Sequence, residues 1–254
     1  MTPRGPTPSM RVASLSPAAS EFLLLVEAGD RVVAVDTESA RLPAFAGLPV
    51  TDEKGVASFQ PDLVLVPAGL STQALARIGR GGAEIFEFAP RNLEDVNQIF
   101  RNLGARLVGV EAARGHEVRL SRALARVGGE SSGAGRLRTL AVTGLSPLEF
   151  AGAHSFETDL LEIAGAESLT HTHGGDDERV SVSSSRIRAY APELILVMTR
   201  LPLPPAERAR VSATLGGLAP VDFMALDARA FWVEAPVKTA RRVQQLIKGH
   251  ASRR

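Results

Sequence analysis

The feature that most constrains this chain is a set of three landmarks that recurs in the same order in its two halves. The first is a short apolar strand running into a serine-capped helix. Arg11–Leu15 leads into Ser16 and Pro17, and Arg138–Thr143 is followed, after a loop, by a helix that Ser155 caps. Serine accepts from the free amides of a first helical turn, and proline at its first position loses no hydrogen bond. The first of these helices is expected to run to Ala28, with Gly29 closing it, and the second to end at Gly165. The second landmark is a buried strand entered through proline and an acid: Pro61-Asp62 before Leu63–Val66, and Pro192-Glu193 before Leu194–Val197. Continuous apolar runs of this length suit parallel strands covered on both faces. The third is Ala83–Phe88, matched by Val221–Ala225, each followed by an amphipathic helix, at 92–103 and 236–249.

A repeated α/β pattern of this kind predicts two small parallel-sheet lobes, at 11–104 and 136–250. Between them, residues 105–128 place Leu107, Val110, Leu120, Leu124 and Val127 at helical spacing, which predicts one long connecting helix weakened at Gly115. The Gly- and Ser-rich segment 128–135 reads as a flexible linker. In open α/β sheets ligands settle where strand-to-helix loops meet, so the expected ligand position is a cleft between the lobes. A chain of 254 residues suffices for two such cores.

Composition narrows the function by exclusion. The net charge of +1 gives no ground for a nucleic-acid or membrane-surface partner. The absence of cysteine removes disulfides, thiolate metal sites and a cysteine nucleophile. Residues 1–10 are Pro-rich and polar, and the apolar cluster Phe22–Val26 is too short to export or span. The sequence as it stands therefore predicts a cytoplasmic protein, or a periplasmic or cell-surface one from which a leader has been removed. Enzyme signatures are missing. Gly144–Leu148 has Pro147 and Leu148 where a nucleophile elbow needs small residues, and Gly79–Gly82 follows a helix rather than a strand. Tyr190, the single tyrosine, reads as packing. The expectation is a non-catalytic protein without a required cofactor, and a monomer.

Candidate ligand contacts come from the loops on the strand-end side. Ser16, Pro17 and Ala18 place helix-N-terminal amides there, where they suit a polar oxygen of a ligand, although simple capping explains them equally. Asp36 and Glu38 follow the second strand and meet polar ligand groups or only solvent. Pro67 and Leu70, and Pro147 with its neighbours, supply apolar walls. Phe231 and Trp232, in the last strand-to-helix loop, offer a flat face for a macrocycle, with packing of lobe against lobe as the alternative. His171, His173, Asp176, Asp177 and Glu178 form the one stretch with metal-like composition, read as an exposed loop, as a holder of zinc or manganese, or as a source of an axial ligand to haem or cobalamin. His154, ahead of the second capped helix, is the better-placed histidine.

The segment from Arg11 through Val35, together with Gln60–Val66, Ser155–Ser168 and Ala191–Val197, resembles the cobalamin- and siderophore-binding proteins of ABC importers. These are helical-backbone, class III periplasmic binding proteins. The resemblance covers nearly the whole chain in the right order. It implies a solute-binding protein whose ligand is cobalamin, haem or a ferric siderophore, handed to an ABC permease. The family's acidic docking residues have no counterpart in Gly69–Gln73, and Glu207, with Arg200 nearby, is the nearest acid in the second lobe. A cytoplasmic binder or chaperone of the same ligands is the alternative, and a metal-dependent enzyme using His154 and the His171–Glu178 stretch is a third reading. Bare-metal transport does not fit, because no histidine precedes His116.

Overall fold

The computed structural model describes residues 10–130, 136–171, 178–199, 202–225 and 235–251. Contacts divide the chain into two compact units. The first holds residues up to Pro90 and Ile99–His116, and the second holds Arg91–Gln98 and the chain from Glu117 on.

In the first unit β1 (Val12–Ser14) leads into α1 (Pro17–Leu25), followed by β2 (Val32–Val35), β3 (Leu63–Val66), α2 (Thr72–Gly79) and β4 (Glu84–Glu87). The strands form one parallel sheet in the order β2-β1-β3-β4. All four residues of β3 are fully buried, as expected of a central parallel strand. Val64 and Val66 pack with Ala13, Ala34 and Ile78 on the α2 face. Ser16 is the N-cap of α1, with its Oγ accepting from Ala19 N–H at 3.4 Å and Pro17 at the first turn.

Helix α1 is shorter than its sequence pattern predicts. It ends at Leu25, and Glu27, at φ 61°, takes the left-handed position expected at Gly29. Ala28 N–H donates to Leu23 C=O at 2.8 Å and Glu27 N–H to Leu24 C=O at 3.1 Å, a Schellman closure two residues early. Gly29 instead opens a short 3₁₀ turn into β2.

The helical stretch that follows β4 is also built differently from expectation. Helix α3 (Leu93–Ile99) passes into a π-helical turn at Phe100–Gly104 and then α4 (Ala105–Val108). The chain breaks at Gly109, φ 90°, before α5 (Val110–Gly129). Residues 105–128 are therefore two helices broken at Gly109, and Gly115 lies inside α5 without interrupting it. Phe100 stacks on His116 and tilts against Phe22, with ring centroids 6.3 and 5.4 Å apart. Gly104 permits this packing, since a Cβ there would lie 3.2 Å from the Cβ of Ala113.

The second unit contains β5 (Leu137–Leu145), β6 (Leu148–Ala151), α6 (Phe156–Ile163), β7 (Ala166–Ser168), β8 (Arg179–Val180), α7 (Ser184–Tyr190), β9 (Leu194–Thr199), α8 (Pro205–Leu215), β10 (Val221–Ala225) and α9 (Ala235–Ala251). Its sheet runs β10-β9-β5-β6-β8, with β7 also on β5. Alternate residues of β9 face opposite layers. Leu194, Leu196 and Met198 pack with α6 and α9, whereas Ile195 and Val197 pack with α7 and α8.

This sheet is mixed, where the sequence predicts a parallel one. The first residues of β5 pair in parallel with β7, and its last ones pair antiparallel with β6 across a bulge between Val142 and Gly144. The segment expected as a loop after Thr143 is thus a hairpin, turning at Ser146-Pro147, whose peptide bond is cis. The recurrence of landmarks is real in the cores: β1-β3-β4 and β5-β9-β10 have the same order and the same parallel sense.

Candidate functional site

The parallel strands of the first unit end together, and hydrogen bonds tie those ends into one surface. Leu15 N–H donates to Leu65 C=O at 2.8 Å, and Asp36 N–H to Ser14 C=O at 2.9 Å. A later loop joins them: Val35 N–H donates to Pro49 C=O at 3.0 Å, and Thr51 N–H to Val35 C=O at 2.9 Å. Around these ends lies a cavity of about 270 Å³, open to solvent. Leu15 lines it after β1, Asp36, Thr37 and Glu38 after β2, Pro67 and Leu70 after β3, and Thr51, Asp52 and Glu53 from the added loop. The carboxyl ends of parallel strands are where open α/β sheets bind ligands, because backbone groups and helix starts converge there.

The two aspartates at this cavity are structural as well as charged. Asp36 Oδ1 accepts from the N–H groups of Glu38 at 2.8 Å and Ser39 at 3.1 Å, and Asp36 Oδ2 accepts from the Ser39 hydroxyl. Asp52 Oδ1 accepts from Lys54 N–H at 2.9 Å and Gly55 N–H at 3.0 Å. Those backbone donors favour the ionised form and hold the Asp52 carboxyl below the ordinary aspartate range. Glu38 and Glu53 line the same cavity without a side-chain partner among the described residues.

Of the residues proposed from sequence, Asp36, Glu38, Pro67 and Leu70 are brought together here. Ser16 is 3% exposed and engaged in capping, and neither it nor Pro17 or Ala18 lines the cavity. Pro147 is exposed in the β5–β6 hairpin turn, in the second unit. His154 is exposed at the β6–α6 turn, close enough to influence Asp159. His171 Nδ1 pairs with Glu162 Oε1 at 2.7 Å. Among the described residues no group of three or more His, Asp or Glu side chains is placed to hold a metal ion. His173, Asp176, Asp177, Phe231 and Trp232 lie outside the described residues.

Thr51, Asp52 and Glu53 escaped the reading of the sequence. They reach the site through a single parallel bridge, Val35 to Val50, that no periodicity announces. The available signal was local: an Asp two and three residues ahead of Lys54 and Gly55 is a turn-forming residue.

In the second unit, Asp159 of α6 accepts from Leu93 N–H at 2.8 Å, pinning the start of α3, while Phe156 N–H donates to Arg91 C=O at 2.9 Å. Burial raises the Asp159 pKa despite that hydrogen bond. These contacts position backbone rather than a ligand. No described helix is long and apolar enough to cross a membrane.

Comparison with known proteins agrees with this architecture. In solved structures the chain is similar to an ABC transporter substrate-binding protein from Listeria monocytogenes EGD-e, with TM-score 0.74 and 16% identity over 94% of this chain and 98% of that one. It is similar to a periplasmic heme binding protein from Pseudomonas aeruginosa, with TM-score 0.69 and 19% identity over 93% and 92%. The periplasmic vitamin B12 binding protein of Vibrio cholerae aligns with TM-score 0.66 and 17% identity over 97% and 99%. At such identities the likeness speaks for the fold. No curated protein sequence matches. The periplasmic binding protein family model matches residues 12–215, most of the chain, and the chain belongs to that family.

Proposed function

We propose that this protein is a non-catalytic solute-binding protein that holds a corrinoid, haem-like or ferric-siderophore ligand for ABC-type uptake. The observation that carries the reading is the strand-end cavity of the first unit, in a chain whose family match covers the first sheet and the second as far as β9. Structurally similar proteins are described as heme- and vitamin B12-binding and as a possible iron-binding protein, which is the source of the ligand range. Asp36, Glu38, Pro67 and Leu70 are the proposed contacts nearest that cavity. Ser16, Pro17, Ala18, Pro147, His154, His173, Phe231 and Trp232 complete the proposed set. Family membership favours an extracytoplasmic setting, and no comparison speaks for the cytoplasmic alternative. The ABC permease is the proposed partner.

Trp232 is the single tryptophan, so its fluorescence reports on one position of the chain. Titration with cyanocobalamin, hemin and a ferric siderophore is expected to give saturable quenching with at least one of them, abolished by Phe231→Ala. Failure of all three to bind, by fluorescence and by calorimetry, would contradict the reading.

A further inference from the structure

We infer that the strand-end cavity of the first unit selects its solute by charge, taking a neutral or cationic metal chelate with peripheral N–H donors over one carrying free carboxylates. This rests on the solute-binding reading above and narrows its ligand class. At about 270 Å³ the cavity is small beside a whole macrocycle or iron chelate, so it admits an edge or an arm. The peripheral groups of the solute are therefore what it reads.

Its lining combines apolar walls, such as Leu15 and Leu70, the hydroxyl residues Thr37 and Thr51, and four carboxylates: Asp36, Glu38, Asp52 and Glu53. Among the described residues no lysine or arginine lines it, although Lys54 is near enough to act on Asp52. Both aspartates accept from the N–H groups of their own loops, which fixes the geometry, and at Asp52 those donors favour the ionised form. The glutamates have no such partner among the described residues, so their oxygens are available to a solute. Ionised carboxylates only accept hydrogen bonds. Asp36 and Glu53 are half-buried and Glu38 and Asp52 exposed, so together they give the open cavity a negative rim that attracts ammonium or amide N–H groups and repels carboxylates. The amide arms of a corrinoid and the free ammonium of some ferric hydroxamates satisfy this requirement, and the two propionates of haem oppose it.

Calorimetric titration with cyanocobalamin, with a ferric trihydroxamate bearing a free ammonium, and with hemin tests the inference. Each is run at low and high salt, on wild type and on the double variant Glu38→Gln, Glu53→Gln. Both glutamines are near-isosteric and replace side chains that hold no partner among the described residues, so the fold is retained. Cyanocobalamin or the ammonium chelate is expected to bind wild type more tightly than hemin. The double variant is expected to weaken the ammonium chelate by about tenfold, the size of one charge-assisted hydrogen bond, with a smaller loss for cyanocobalamin and a gain for hemin. High salt is expected to shrink the wild-type preference. Tighter binding of hemin than of the other two, or affinities unchanged in the double variant, would overturn charge selection and leave the solute-binding reading standing. Binding of none of the three would overturn both.

Discussion

The two units share a core and differ at its flank. In both, three parallel strands run in the same order, β1-β3-β4 in one and β5-β9-β10 in the other. On the other side of the first strand they part. In the first unit β2 pairs along β1 and ends at Asp36, and its bridge to Val50 brings in Thr51–Glu53. In the second unit β5 is three times as long, 9 residues against 3, and gives that side first to β7 and then to the β6 hairpin. The candidate cavity draws on both parts: Leu15, Pro67 and Leu70 follow the repeated strands β1 and β3, whereas Asp36–Glu38 and Thr51–Glu53 come from the flank that the second unit builds differently.

The equality of the cores is the first thing to break. Leu65 on β3 and Leu196 on β9 are both fully buried. Truncation of either to alanine is expected to cost about 2–5 kcal/mol, through lost burial and the cavity left behind. Urea unfolding of Leu65→Ala and Leu196→Ala measures both. A cost well under 1 kcal/mol at one position would show that the two cores are not equivalent.

A device confined to the first unit comes next. Gly104→Val would place a Cβ 3.2 Å from that of Ala113 and crowd the Phe22 ring at 3.6 Å. The expected loss is about 1–3 kcal/mol, typical of overpacking. The same valine at Gly129, where nothing lies within 4 Å, is the control.

The corresponding device of the second unit responds to pH. The folded-state pKa of Asp159 is raised by burial above the unfolded value. Its charge therefore destabilises the fold above the folded pKa, and the cost is relieved as pH falls through that value. Asp159→Asn keeps an acceptor for Leu93 N–H, so it is expected to raise the urea midpoint at neutral pH, by less than a core truncation lowers it. The advantage should vanish in acid. A variant less stable than wild type at neutral pH would show that the Leu93 hydrogen bond outweighs burial.

The smallest effect belongs to the edge of the first sheet. Arg106 donates to both carboxylate oxygens of Glu84, at 2.7 and 2.6 Å, and its guanidinium holds the Glu84 carboxyl below its ordinary range. The pair's contribution is present above the unfolded glutamate pKa and lost as pH falls through the folded one. Both side chains are well exposed, so solvent screens the pair, and Arg106→Ala is expected to shift the unfolding midpoint only slightly.

What the sequence disclosed follows a physical division. Ser16 with Pro17, Ser155, and the runs Leu63–Val66 and Leu194–Val197 were legible because capping and double-sided burial leave local marks. The early end of α1 was not, because Glu27 took a left-handed position for which glycine is the usual signal. Helical periodicity cannot separate a π turn at Phe100–Gly104 from α-helix, and it gives no reason to prefer Gly109 over Gly115 as the break. The hairpin was hidden because Ser146-Pro147 lacks the Asn-Gly or Asp-Gly signature of tight turns. At the site, Asp36, Glu38, Pro67 and Leu70 were found by following strand ends, whereas Thr51–Glu53 arrive by a long-range bridge.

On the proposed reading the carboxyl ends of the first unit's strands receive the solute. The direct measurement is a two-dimensional amide NMR titration of the labelled protein with cyanocobalamin, a diamagnetic ligand. Saturable shifts are expected at Glu38, Thr51–Glu53 and Ala68–Leu70, the segments around the cavity. Saturable binding that leaves those amides unmoved, with shifts confined to other parts of the chain, would contradict it.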